Sequence, residues 1–166
     1  DELSMNDTSG ALDGVEVVEI CSAIAGPYCG KLLADNGANV VKVEPPWGAN
    51  YRKRPLWYDR HDSDEFTYRF LQYNTGKESI AVDLKSNRGK GILWELLEEA
   101  DVFLENFRSG VMERLGFSWE EMHDRNPGLV YCSVSGYGDL GPYSDRSAYD
   151  PVIQGISGWG EAIGEV

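Results

Sequence analysis

The sequence predicts an open α/β fold, a mainly parallel sheet with helices on both faces. Three observations carry that expectation. β-branched runs and helical stripes alternate as β-α-β-α-β-α-β-α-β between residues 15 and 134. The first strand, helix and strand fit into residues 15–44, a compact βαβ unit of the kind that is normally parallel and right-handed. No internal repeat, low-complexity tract or coiled-coil heptad competes with that pattern.

Each element has a local reason. Val15-Glu16-Val17-Val18-Glu19-Ile20 is a β-branched run bounded by Gly14 and reads as the first strand. Pro27 to Asn36 opens on proline, stops before Gly37, and repeats Cys29, Leu32 and Leu33 at helical spacing. Asn39 to Glu44 is the second strand, ended by Pro45-Pro46. From Trp47 to His61 the chain is irregular. Ser63 to Tyr73 then predicts a helix with Phe66, Phe70 and Leu71 on one face. Ser79 to Leu84 is a third strand, and Ser86-Asn87 cap a helix whose stripe is Ile92, Leu93, Leu96 and Leu97. Asp101 to Glu105 is a fourth strand. Ser118 with Glu121 three residues on forms a capping box for another helix, and Leu129 to Val134 is the fifth strand.

Composition narrows the class of protein. The chain has 166 residues, of which 42% are hydrophobic and 26% charged, enough for one domain with a real core. Fifteen basic against 28 acidic residues give a net charge of −13, which disfavours nucleic acid as a partner. A small phosphorylated ligand remains compatible, since it needs only a few local cations. The acidity fits either solubility or a high-salt setting. No run of about 18 apolar residues exists, so no membrane span is expected. The first residues lack the basic and apolar parts of a signal peptide, and the three cysteines form no CxxC pair. Reduced thiols in the cytoplasm are the expectation. His61 and His123, far apart, leave no ligand set for a metal. Residues 1–10 read as a flexible lead-in and 11–166 as one α/β unit. The non-Met start and the open end at Val166 read as a piece of a longer protein.

In such sheets ligands sit where loops leave the carboxyl ends of the strands. Here those loops are Ser22–Gly26, Pro45–Asn50, Lys85–Asn87, Asn106–Gly110 and Ser135–Tyr149. The first feeds a helix N-terminus, whose N–H groups favour phosphate or carboxylate. The GxGxxG pattern of dinucleotide folds is absent, and Glu44 reads either as a ribose-binding acid or as a solvated strand end. Asn106-Phe107-Arg108 with Arg114 suits an anionic nucleotide, because arginine presents a fork of donors and asparagine can read an amide or adenine edge. By spacing alone these arginines and the knot Arg52-Lys53-Arg54 read more readily as solvated, and Lys85, directly after a strand, reads either way. Asp150 is either a general base or a helix-start residue. No Ser/His/Asp or Cys/His set can be assembled.

Taken together, the segments resemble one family. Leu12-Asp13-Gly14-Val15-Glu16-Val17-Val18-Glu19, Ala25-Gly26-Pro27 and the run Leu32 to Glu44 look like the opening of the class III CoA-transferases. That family includes formyl-CoA:oxalate and carnitine CoA-transferases and, more distantly, α-methylacyl-CoA racemases. The likeness continues through Asn74 to Ile80, Asp83-Leu84-Lys85, Ala100 to Gly110, Leu115-Gly116 and Asn126 to Tyr131. It then runs through Ser135 to Gly138, Gly141-Pro142-Tyr143, Tyr149-Asp150, Gln154 and Ser157-Gly158.

The resemblance implies a Rossmann-like CoA-binding unit. It places Ile24 and Ala25 where the first loop touches CoA, and Val82 and Lys85 at the exit of the third strand. Asn106, Phe107, Arg108 and Arg114 fall in the segment that holds the nucleotide and phosphates, and Tyr149 in the one that closes over the thioester. Pro45 stands where relatives often carry Arg. The family's nucleophile is an aspartate that attacks the acyl-CoA thioester and becomes an aspartyl-CoA; its spacing falls beyond Val166, so no residue of this chain matches it. Racemases carry a histidine just before the Asp of the Tyr-Asp pair, where this chain has Tyr149, which favours transfer from an acyl-CoA to a carboxylic acid. The resemblance further implies an interlocked homodimer and no permanently bound cofactor. A racemase-like enzyme and an NAD-dependent oxidoreductase are the alternatives.

Overall fold

Residues 10–52 and 67–164 are described by a computed structural model of the chain. Five strands, β1 (Glu16–Ile20), β2 (Asn39–Glu44), β3 (Glu78–Ala81), β4 (Val102–Glu105) and β5 (Val130–Ser133), form one sheet in the order β3-β2-β1-β4-β5. Every neighbouring pair is parallel: Val18 lies level with Val41 and Phe103, and Phe103 with Tyr131. The order reverses between β1 and β4, the point at which ligand sites of open parallel sheets are commonly found.

Helices cover both faces. On one, α3 (Asn87–Glu99), α4 (Val111–Leu115) and α5 (Trp119–Arg125) pack Leu93, Leu97, Met112 and Met122 onto Val18, Ile20, Val43 and Phe103. On the other, α1 (Ala25–Asp35) lies over a smaller apolar patch of Val17, Ala38 and Val40, with Leu33 and Ala34 against it, and α2 (Tyr68–Asn74) packs against α1. Two further helices, α6 (Asp150–Ile156) and α7 (Trp159–Ile163), bury no residue.

Local chemistry explains the boundaries. α1 starts at Ala25, two residues before the expected Pro27, because a first-turn N–H has no intrahelical partner to lose. It ends at Asp35, with Gly37 beyond it at φ +102°. Three caps form as residue type dictates: Thr67, Ser86 and Ser118 accept the N–H groups of Phe70, Gly89 and Glu121 at 3.1, 3.0 and 3.2 Å. In α2, Phe70 is buried but Leu71 faces solvent, against the expected stripe; Phe66 lies outside the described residues. β3 ends at Ala81, three residues early, where Asp83 accepts the N–H of Lys85 and turns the chain toward Ser86. α4 and α7 escape sequence periodicity because each spans five residues and starts from a left-handed glycine, Gly110 or Gly158. Among the described residues no helix is long and apolar enough to cross a membrane.

Candidate functional site

At the carboxyl ends of the strands a cleft of about 340 Å³ opens between the exits of β1, β2 and β3. Ile20, Val43, Val82, Leu84, Phe107 and Leu115 give it mostly apolar walls, and the segment Pro45–Asn50 forms one rim. Trp47, 70% exposed, stands on that rim, and Lys85, just before α3, also lines the cleft. The arrangement suits a flat or extended ligand with apolar surface and an anionic group near Lys85.

The sequence-derived residues divide into three groups. Val82, Lys85 and Phe107 line this cleft. Arg108 instead faces a second hollow of about 310 Å³ with Glu105, Glu113, Trp119, Tyr131 and Asp139, while Arg114, exposed on α4, reaches back toward Gly110. Ile24, Ala25 and Tyr149 are exposed and outside both hollows. The Asn106 amide is committed to the first loop: its Oδ1 accepts Ser22 N–H at 2.8 Å and its Nδ2 donates to Ser22 O at 2.7 Å. That double bond ties the exit of β4 to the exit of β1 across the reversal of strand order.

Neither sequence reading of Glu44 fits. It is buried, and its carboxylate accepts hydrogen bonds from the Arg52 guanidinium, Ser79 Oγ (2.6 Å) and Ala49 N–H (2.7 Å). Burial alone would raise its pKa; the bonds from Arg52, Ser79 and Ala49 outweigh that and hold it down at about 2. Arg52 is likewise not a solvated cation, since its guanidinium lies 4.1 Å from the centre of the Phe70 ring. Lys53 and Arg54 lie outside the described residues. Glu44 and Arg52 thus fix the Pro45–Asn50 rim rather than a ribose. Asp150 is the first residue of α6, and its carboxylate accepts from Gln154 at 2.6 Å.

Sequence reasoning also missed a buried charged layer under α1. Glu19 and Lys42, level with each other on β1 and β2, pair at 2.5 Å, and Lys77 reaches the other Glu19 oxygen at 2.6 Å. The available signal was charge in the wrong place: parallel strands covered on both faces should read as continuous apolar runs. Burial lowers the pKa of Lys77, opposed by Glu19. Beside this layer, burial and then Glu19 push the Cys21 thiol well up, which leaves it a poor nucleophile. Burial and Glu105 raise Tyr131, whose hydroxyl donates to Glu105 at 3.2 Å. Among the described residues no group of three His, Cys, Asp or Glu side chains could hold a metal ion. The cleft offers shape and charge for binding.

An all-parallel α/β sheet with an apolar cleft across its strand exits defines a ligand-binding unit of the doubly wound class. Residues 12–166 match CoA-transferase family III, and the chain belongs to that family. It is 38% identical over 157 residues to a succinate–glutarate CoA-transferase of Agrobacterium fabrum, covering 93% of this chain and 39% of that protein. It is 42% identical over 148 residues to a formyl-CoA:oxalate CoA-transferase of Streptomyces avermitilis, covering 89% and 35%. Among solved structures, a CAIB/BAIF family protein from Brucella suis superposes with a TM-score of 0.83 at 40% identity, covering 90% of this chain and 40% of that one. The chain thus spans 35–39% of the length of these two transferases.

Proposed function

We propose that the chain is the nucleotide-binding part of an enzyme that moves CoA from an acyl-CoA donor to a carboxylic acid acceptor. The observation that carries this reading is the apolar cleft at the strand exits, with Lys85 on its edge, in a chain whose relatives are CoA-transferases. In this reading Val82 and Phe107 contact the adenine or pantetheine and Lys85 faces the phosphates, with Arg108 and Arg114, which lie outside the cleft lining, as more distant cations for the same anion. Ile24 and Ala25 border the pantetheine arm. Asn106 acts through Ser22, which it holds at the cleft, and Tyr149 closes over the thioester.

The chemistry is a relay between carboxylates. An aspartate attacks the thioester carbonyl and expels CoA as thiolate, which leaves an aspartyl–acyl anhydride. The thiolate attacks the aspartyl carbonyl, releasing the donor acid and giving an aspartyl-CoA thioester. The acceptor carboxylate attacks that thioester and frees CoA thiolate, which takes the acyl group and restores the aspartate. We place this aspartate outside residues 1–166; the residues of this chain bind and orient the CoA. The enzyme is read as a cytoplasmic homodimer needing no bound cofactor.

The test is chemical. The polypeptide that contains this chain and the continuation found in its relatives, incubated with an acyl-CoA and hydroxylamine, should yield a hydroxamate on an aspartate outside residues 1–166. Residues 1–166 alone should yield none. An adduct mapped to Asp150 would overturn both the mechanism and the placement.

A further inference from the structure

The connection from Cys21, just after β1, to Pro27, in the first turn of α1, is fastened at both ends by the buried charged layer. Lys42 Nζ donates to Cys21 O at 2.9 Å, and Lys77 Nζ donates to Pro27 O at 2.7 Å. The same two ammonium groups share one carboxylate, Lys42 on Glu19 Oε1 at 2.5 Å and Lys77 on Oε2 at 2.6 Å. Asn74 Oδ1 accepts a further bond from Lys77 at 3.3 Å. Between the two fastened ends, Asn106 grips Ser22 by both its N–H and its carbonyl. Ala23, next along, sits at φ +60°, the only non-glycine residue at positive φ among those described.

The layer is wholly interior: Glu19 is 0% exposed, and the side chains of Lys42 and Lys77 are 2% and 1% exposed. α1 can lie this close because of two glycines. A Cβ at Gly30 would stand 2.0 Å from Glu19 Oε2, and one at Gly26 would stand 2.4 Å from Cys21 Sγ. Stability gives little reason for such an arrangement, because buried ion pairs are commonly matched or bettered by apolar residues of similar size. Two cations on one anion are harder still to account for as a packing device. The geometry does explain them: one carboxylate orients two donors, one aimed at the carbonyl of Cys21 where the loop begins and one at that of Pro27 in the first turn of α1.

We infer that Glu19, Lys42 and Lys77 are positioning residues that hold the β1–α1 loop and the first turn of α1, with Ala23 left-handed, in their binding form before ligand arrives. The inference rests on the proposed CoA site, which Cys21 and Ser22 line. A loop already ordered loses less entropy on binding, so the layer contributes affinity without touching CoA.

Lys77→Met separates the two roles, since it leaves a neutral Glu19–Lys42 pair in the core and removes the donor to Pro27 O together with those to Glu19 Oε2 and Asn74 Oδ1. In the full chain this variant should bind CoA about tenfold more weakly, and its Ser22 amide should exchange with solvent at least about tenfold faster, with the interior amides of β1 unchanged. In the unaltered protein the Ser22 amide should be as protected without CoA as with it, a measurement that requires no variant to fold. A Ser22 amide that gains protection only when CoA is added would overturn the inference. So would a folded Lys77→Met variant with unchanged affinity and exchange. Failure of the unaltered chain to bind CoA overturns instead the functional reading, while the Ser22 exchange in Lys77→Met still decides whether the layer orders the loop.

Discussion

The two faces of the sheet are held by opposite means. Under α3, α4 and α5 the contact is apolar, with Phe103, Phe117, Leu93 and Leu97 at no more than 1% exposure. Under α1 and α2 the centre of the contact is charged, built from Glu19, Lys42, Lys77 and, nearer the cleft, Glu44 with Arg52. Apolar packing is non-directional and scales with the area removed from water, so the first face supplies stability. Charged hydrogen bonds are directional and costly to bury, so the second face supplies position. The charged side chains terminate on the backbone of Cys21 and Ala49, which line the cleft, and of Pro27 in the first turn of α1.

The sharpest way to break this contrast is to damage each face where it is strongest. Phe103→Ala removes a ring stacked on Tyr131 at 5.4 Å and should cost about 3–5 kcal/mol in urea unfolding. Glu19→Gln leaves two buried ammonium groups without a counter-charge and should cost about as much, roughly 3–5 kcal/mol. The contrast appears in the next substitution: Lys77→Met, which keeps one anion on one cation, should cost less than Glu19→Gln in the same unfolding experiment, because Glu19 retains Lys42 as its counter-charge. An equal loss for Lys77→Met and Glu19→Gln would make the charged face a stability device after all.

Acid probes the same face without mutation. The Glu44 carboxyl is held at about 2 in the folded chain, against an ordinary 4.5. Its folded value lies below the unfolded one, so its contribution is whole above pH 4.5 and disappears as pH falls toward 2. That difference corresponds to about 3 kcal/mol. Urea midpoints between these pH values should fall more steeply in the native chain than in Glu44→Gln. Parallel curves would show that Arg52 and Ser79 do not stabilise the carboxylate.

Cations at the cleft should behave differently from both faces. Lys85→Ala should leave the unfolding midpoint nearly unchanged and weaken CoA binding by about 1.5–3 kcal/mol, the value of one charge-assisted contact. Arg114→Ala should weaken it by less, because its guanidinium lies at Gly110, away from the cleft lining. Reversal of that order would move the phosphates toward α4.

The apolar face was the more legible in the sequence, and for a physical reason. Helical stripes such as Leu93 and Leu97, and capping by Ser86 and Ser118, follow from local spacing and side-chain chemistry alone. β2 is predicted residue for residue, since Pro45-Pro46 can neither donate to a ladder nor continue it. The cleft's location follows from the alternation of elements, and Val82, Lys85 and Phe107 from the family resemblance. The charged face was not legible, because Glu19 and Lys77 are 58 residues apart and meet only through the register of three strands. Glu44 looked like a strand end because nothing local announces that Arg52 and Ser79 converge on it. The burden of Asn106 is hidden in the same way, since its partner Ser22 is 84 residues distant.

The central claim is that the cleft between the exits of β1, β2 and β3 accepts CoA, and titration calorimetry of the full chain tests it most directly. CoA should bind at one saturable site, Lys85→Glu should weaken that site at least about tenfold, and NAD should give no saturable heat under the same conditions. Absence of CoA binding, binding of NAD with equal affinity, or CoA affinity unaltered in Lys85→Glu would contradict it.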